Sequence, residues 1–190
     1  MTRQINSEFL ERAEGRRLKG YVPRARDGSP LGRSGVTIAT GADIGQWSVE
    51  EIERLILPRD LKIKLRPYAG IRGDRAVKML EERPLFISDR EASLIDSAIH
   101  SKIVNDLARR FKLASGAEFD DLSGPVQTVL ASLAINFGPG QLATMAKTWS
   151  FISSQDWRGL ADWLDVFPSK QPELSARRRR EAKLLRTALA

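Results

Sequence analysis

The run from Ser123 to Gly140 constrains the fold more than any other part of the chain. Ser123-Gly124-Pro125 has the form of a helix start, and Gly138-Pro139-Gly140 that of a stop. Between them Val129, Leu130, Leu133, Ala134 and Ile135 leave almost no polar face. A helix that is apolar around most of its girth needs other elements on all sides. The flanking sequence has the material for that shell. Ser88-Asp89-Arg90-Glu91 is a Ser-x-x-Glu capping box. It opens a long run with Ala92, Ile95, Ile99, Ile103, Leu107 and Phe111 at near-helical spacing, reaching about Leu113. Beyond residue 140, Trp149, Trp157 and Trp163 fall on helices separated by polar turns, where they read as packing residues.

The first third of the chain follows different rules. Ile5, Phe9, Leu10 and Ala13 share a face, which predicts a helix over 5–14 ending near Gly15. From Tyr21 to Gln46, Pro23, Asp27-Gly28-Ser29-Pro30, Gly32 and Ser34-Gly35 are turn chemistry, while Val36-Thr37-Ile38-Ala39-Thr40 is strand-like. A β-hairpin or a three-stranded sheet fits this stretch. Ser48 then caps another helix with Glu51. The reading is a mostly helical α+β chain, with a small sheet confined to the N-terminal side.

Composition narrows the chemistry. The 190 residues contain no cysteine and one histidine, which excludes disulfides, thiol catalysis and multi-histidine metal sites. No apolar run approaches the length that crosses a bilayer. The segment MTRQINSEFLERAEG lacks the apolar core of a secretion signal. The expectation is therefore a chain made in the cytoplasm that acts elsewhere only after release or delivery by another system. A net charge of +7 favours a polyanionic partner. Solvated helix surface accounts for about half of that charge, and the Arg177-Arg178-Arg179-Arg180 run is flanked by leucines on an amphipathic helix, without the aromatic or polar interleaving of a nucleic-acid reader.

Three residues supply a reaction. Glu14 stands at a predicted helix end, and Thr37 and Asp43 follow on the Gly-rich β segment. Splitting a glycosidic bond needs one carboxyl to protonate the leaving oxygen and a second group to activate water. The negative end of the helix dipole favours a protonated Glu14, whereas Arg16 or Arg17 would oppose it by folding back. A Thr hydroxyl can both donate to and accept from a water. Taken singly, each residue also has a plain structural use: a solvated helix end, a strand former, a turn former. Asp27 is the fallback second carboxylate. Asn136 can cap its helix or bond an N-acetyl sugar, and Gln46 can line a cleft or order the hairpin. His100 reads as a surface partner of Asp96, one turn away.

Four segments in register carry a family resemblance. Glu14-Gly15-Arg16-Arg17-Leu18-Lys19-Gly20-Tyr21 resembles the Glu-Gly-x-x-Leu-x-x-Tyr opening of phage-type lysozymes, and Thr37-Ile38-Ala39-Thr40-Gly41 is similar to their Thr-Ile-Gly-x-Gly segment. Ile87-Ser88-Asp89-Arg90-Glu91-Ala92 resembles the start of their interlobe helix, and Leu133-Ala134-Ile135-Asn136-Phe137-Gly138 the end of their central helix. Most of that family places an Asp six positions before the Thr, where this chain has Leu31. An Asp six positions after it, here Asp43, looks closest to the muramidase domain of the bacteriocin pesticin.

The resemblance implies a two-lobed lysozyme-like fold in one catalytic domain, 1–190. Its N-terminal lobe would cover about 15–87, with an interlobe helix from about 88. A helical C-terminal lobe would cover about 114–190, with helix 5–14 packing near the cleft. It implies Glu14 as acid, Asp43 and Thr37 as the pair that holds and activates water, and Asn136 and Gln46 as substrate contacts. No metal or organic cofactor is implied. The implied substrate is bacterial peptidoglycan, and the implied state a monomer acting in the periplasm or wall, for phage lysis or as an antibacterial effector. An immunity or inhibitor protein is a candidate partner; nucleic acid and membrane insertion are not expected. A lytic transglycosylase and a non-catalytic wall binder on the same fold are the alternatives.

Overall fold

The computed structural model describes residues 3–11, 16–169 and 171–189. The chain divides into two compact units, Glu14–Ile99 on the one hand and Met1–Ala13 with His100–Ala190 on the other.

The Glu14–Ile99 unit is built on a three-stranded antiparallel sheet in the order β1 (Arg17–Tyr21), β2 (Thr37–Ala39), β3 (Ala42–Asp43). β1 pairs on its other side with the segment around Phe86, through Gly20 N–H to Leu85 O and Ile87 N–H to Leu18 O. Three helices pack around it: α2 (Val49–Arg54), α3 (Arg59–Leu65) and α4 (Asp74–Glu82). Ser48 and Glu51 form the expected capping box of α2. Val36, Ile38, Ile44, Ile52 and Leu65 are fully buried in this unit's core. Burying each such side chain contributes about 1.5–3 kcal/mol.

In the second unit α6 (Gly124–Phe137) occupies the centre. Every residue from Val126 to Ala134 is buried, Gln127, Thr128 and Ser132 included, as its all-round apolar character requires. Around it lie α7 (Pro139–Thr144), α8 (Ala146–Ser153), α9 (Trp157–Asp165) and α10 (Pro172–Arg186). Trp149, Trp157 and Trp163 pack partly buried against this core.

Among the described residues, the N-terminal helix expected over 5–14 begins at Ser7 rather than at residue 5. α1 (Ser7–Glu11) starts after Asn6, whose Oδ1 accepts the Phe9 N–H, and the expected end at Glu14 lies outside the described residues. Its approach is fixed by α6: Thr128 Oγ1 accepts the Asn6 N–H and Gln127 Oε1 the Gln4 N–H. α5 (Asp89–Ser115) supplies its first part to the Glu14–Ile99 unit and the remainder to the other. Its start carries the reciprocal Ser88–Glu91 bonds of a capping box.

The C-terminal arginine run is divided by burial. Arg179 and Arg180 are exposed, but Arg177 and Arg178 are 7% and 0% exposed, facing α6 together with Glu181, Ala182 and Leu185. Only half of the run is solvated charge. No described helix is long and apolar enough to cross a membrane.

Candidate active site

Thr37 and Asp43 are directly opposed in the β2–β3 register. Opposed residues of an antiparallel pair project from the same face of the sheet. Both side chains engage one glycine. The Asp43 carboxylate accepts the Gly35 N–H at 3.0 and 3.2 Å, and the Thr37 hydroxyl donates to Gly35 O at 3.3 Å. Asp43 Oδ1 also accepts the Gly45 N–H at 3.0 Å, capping the 3-10 turn Ile44–Gln46, and Oδ2 accepts from Gln46 Nε2 at 3.1 Å. The carboxylate thus rests in a nest of two main-chain amides and one side-chain amide.

Only glycine permits this nest. A Cβ on Gly35 would stand 2.5 Å from Gly45 Cα and 2.6 Å from Ile71 O. The Gly-rich character of 34–46 is therefore a packing demand of Asp43 as much as a turn signal. Thr37 is 3% exposed and spends its proton on Gly35 O, so it can meet a water only as an acceptor. Gln46 is exposed. Its Nε2 donates inward to Arg33 O at 2.8 Å and to Asp43, which turns Oε1 outward. It orders the hairpin and presents one acceptor.

The structure adds a residue that sequence reasoning misplaced. Asp96, expected at the surface beside His100, is 5% exposed. Its Oδ1 accepts from Thr40 Oγ1 at 2.6 Å and Thr40 N–H at 3.2 Å. Its Oδ2 has no hydrogen-bond partner among the described residues and lies 3.7 Å from Arg16 Nη2. Asp96 anchors the β2–β3 tip, where Ala39 has φ of +54° and Gly41 of +105°. The signal was present: Asp96 falls in the stripe Ala92, Ile95, Ile99 that marks the buried face of α5.

Glu14 lies outside the described residues. The two arginines after it have other partners. Arg16 is ion-paired with Asp96 and Asp89, and the Arg17 guanidinium lies 4.3 Å from the centroid of the Tyr21 ring. Asp27 is exposed, with Oδ1 accepting from Ser29 N–H and Oγ, bonds that hold its carboxyl below its ordinary value. That is the arrangement of a turn former.

Asn136 belongs to the helical unit. It does not cap α6, whose C-cap is Gly138; its Oδ1 accepts instead from Arg178 Nη2 at 3.0 Å. Arg178 is ion-paired with Glu181 at 3.1 Å and lies over the Phe137 ring at 5.0 Å. Burial pushes Arg178 down to about 10, with Glu181 opposing, so it stays cationic at neutral pH. Burial pushes the Glu181 carboxyl up, against Arg178, Ser132 and Arg177. Two hollows of about 350 and 410 Å³, one in each unit, are lined by none of Thr37, Asp43, Gln46 and Asn136. No group of three His, Cys, Asp or Glu side chains able to hold a metal occurs among the described residues.

The sequence model of the family Pesticin, described as "Bacterial toxin homologue of phage lysozyme, C-term", matches residues 4–158. Among solved structures, the "Crystal structure of active form of P1 phage endolysin Lyz" matches with a TM-score of 0.57 at 16% identity. The match covers 98% of this chain and 87% of that one. At that identity the likeness is one of fold, lysozyme-like α+β. No curated protein matches the chain.

Proposed function

The chain belongs to the family of bacterial toxin homologues of phage lysozyme, and on that footing we propose that it is a muramidase. The bond cleaved is the β-1,4 linkage between N-acetylmuramic acid and N-acetylglucosamine in peptidoglycan. Glu14 protonates the leaving glycosidic oxygen. Asp43 Oδ2, the oxygen on the Gln46 side, takes a proton from water, and Thr37 holds that water through an oxygen lone pair. The hydroxide equivalent attacks the anomeric carbon as the bond to the leaving oxygen breaks, giving an inverted product. Asn136 and Gln46 contact the sugars. The substrate's carboxylates suit a chain of net charge +7, so activity falls with rising salt.

The observation that carries this reading is the facing pair of Thr37 and Asp43 with Gly35 between them. One observation favours a second reading. Every Asp43 bond serves the loop itself, which is also what a purely structural cap would show. A lytic transglycosylase needs the acid alone, because the substrate's own 6-hydroxyl attacks.

Mass spectrometry of soluble fragments from purified peptidoglycan separates the two. The muramidase gives fragments with a free reducing muramic acid end, lost in Glu14→Gln and in Asp43→Asn. Fragments ending in 1,6-anhydromuramic acid, still released by Asp43→Asn, would establish the transglycosylase. A folded wild type that releases nothing leaves a wall-binding protein.

A further inference from the structure

Asn136 and Gln46 are held with opposite ends outward, and for Asn136 the holding is done by a buried charge. A guanidinium can only donate, so the bond from Arg178 Nη2 fixes Oδ1 as the inward end of the Asn136 amide. The exposed end is Nδ2, a pair of N–H donors with no partner among the described residues. Arg178 has no freedom to release it. The side chain is fully buried between α6 and α10, ion-paired to Glu181 and placed over Phe137 and Phe167 at 5.0 and 5.9 Å. Glu181 is fixed in turn by the Ser132 hydroxyl and by Arg177 Nε at 3.4 Å.

We propose that Arg178 is a positioning residue that locks Asn136 as a donor-only contact, which selects the acetamido carbonyl of an N-acetylated sugar over a free amine. The inference rests on the muramidase reading and deepens it. A carbonyl oxygen accepts only, and two outward N–H groups complement it. A de-N-acetylated sugar presents an ammonium group at neutral pH, which only donates, so donors face donors and the contact is lost. A freely rotating Asn could flip and tolerate both; one pinned by Arg178 cannot.

The test is the ratio of kcat/KM on N-acetylated peptidoglycan to that on chemically de-N-acetylated peptidoglycan, for wild type and variants. Wild type is expected to favour the acetylated wall at least tenfold, through KM. Asn136→Asp keeps an acceptor for Arg178 but replaces the outward donors, so its ratio should fall about tenfold or more. Arg178→Lys keeps a donor aimed at Oδ1 and should retain part of the ratio. Should Arg178→Met alone fail to fold, Arg178→Met/Glu181→Leu removes both partners of the ion pair while Arg177 keeps its bonds to Ser132, and the freed Asn136 should lose the discrimination. In parallel, the Asn136 side-chain amide resonances of Glu14→Gln should move on titration with N-acetylglucosaminyl-N-acetylmuramic acid and not with glucosamine. A wild type that digests the wall, with a ratio unchanged in Asn136→Asp and in the double variant, overturns the inference alone. A wild type that digests neither wall overturns the muramidase reading and this inference with it.

Discussion

Asp43 and Glu181 are two solutions to placing a carboxylate inside a protein. In the Glu14–Ile99 unit, Asp43 is held by the N–H groups of Gly35 and Gly45 and by one amide side chain. In the helical unit, Glu181 is fully buried and held by Arg178, Arg177 and Ser132. The first arrangement depends on backbone shape, and its partners carry no net charge. The second depends on named cations, and among the described residues Glu181 Oε2 and two Arg178 nitrogens still lack a well-aligned hydrogen bond. The second kind is rigid and suits the fixing of a neighbour.

Removing a partner should be most costly where the partner is a buried charge. Arg178→Met leaves Glu181 with Arg177 and Ser132 alone, and loss of a buried ion-pair partner of this kind costs about 3–5 kcal/mol in denaturant unfolding. Arg178→Met/Glu181→Leu should recover most of that loss. Equal costs for the single and double variants would break the contrast. Next comes the backbone nest. Gly35→Ala forces a Cβ to within 2.5 Å of Gly45 Cα, and overpacking of this kind costs about 1–3 kcal/mol. Its loss of wall hydrolysis should exceed what its melting curve explains, because Asp43 moves with Gly35.

The smallest effect is a surface one. Burial works to raise the Glu91 carboxyl, but the Lys64 ammonium and the Ser88 N–H and hydroxyl outweigh it, so the net shift is downward. A carboxylate lowered in the folded state stabilises above its unfolded value, near 4.5, and loses that contribution as pH falls through its folded value. Wild type and Glu91→Gln should therefore differ in stability at pH 7 and converge only once pH has fallen below the folded value of the Glu91 carboxyl. Parallel curves over that range would show that the pair adds nothing.

The elements with their own local chemistry were legible in the sequence. The Ser48–Glu51 and Ser88–Glu91 boxes mark α2 and α5, and the unbroken apolar girth marks α6 as central. β1 was not legible, because its one fully buried position is Gly20, which contributes no side chain to an alternating pattern. Four consecutive arginines look alike in a sequence. Only their phase against Glu181, Ala182 and Leu185 separates the buried Arg177 and Arg178 from the exposed Arg179 and Arg180, since 178, 181, 182 and 185 fall on one helical face and 177 lies one turn before 181. Asp43 stood out by its distance from Thr37, but its nest was hidden. Nothing in the order of residues states that Gly35 and Gly45 touch.

The helical unit is assembled from both ends of the sequence, Met1–Ala13 and His100–Ala190, with Glu14–Ile99 between them. Gln4 and Asn6 precede α6 by more than a hundred residues, and their N–H groups find the side chains that accept them only once α6 has formed. The intervening unit can fold meanwhile, and in doing so it replaces a flexible loop of some 86 residues by a compact body. Loop closure then carries less of its entropic cost, which grows only with the logarithm of loop length.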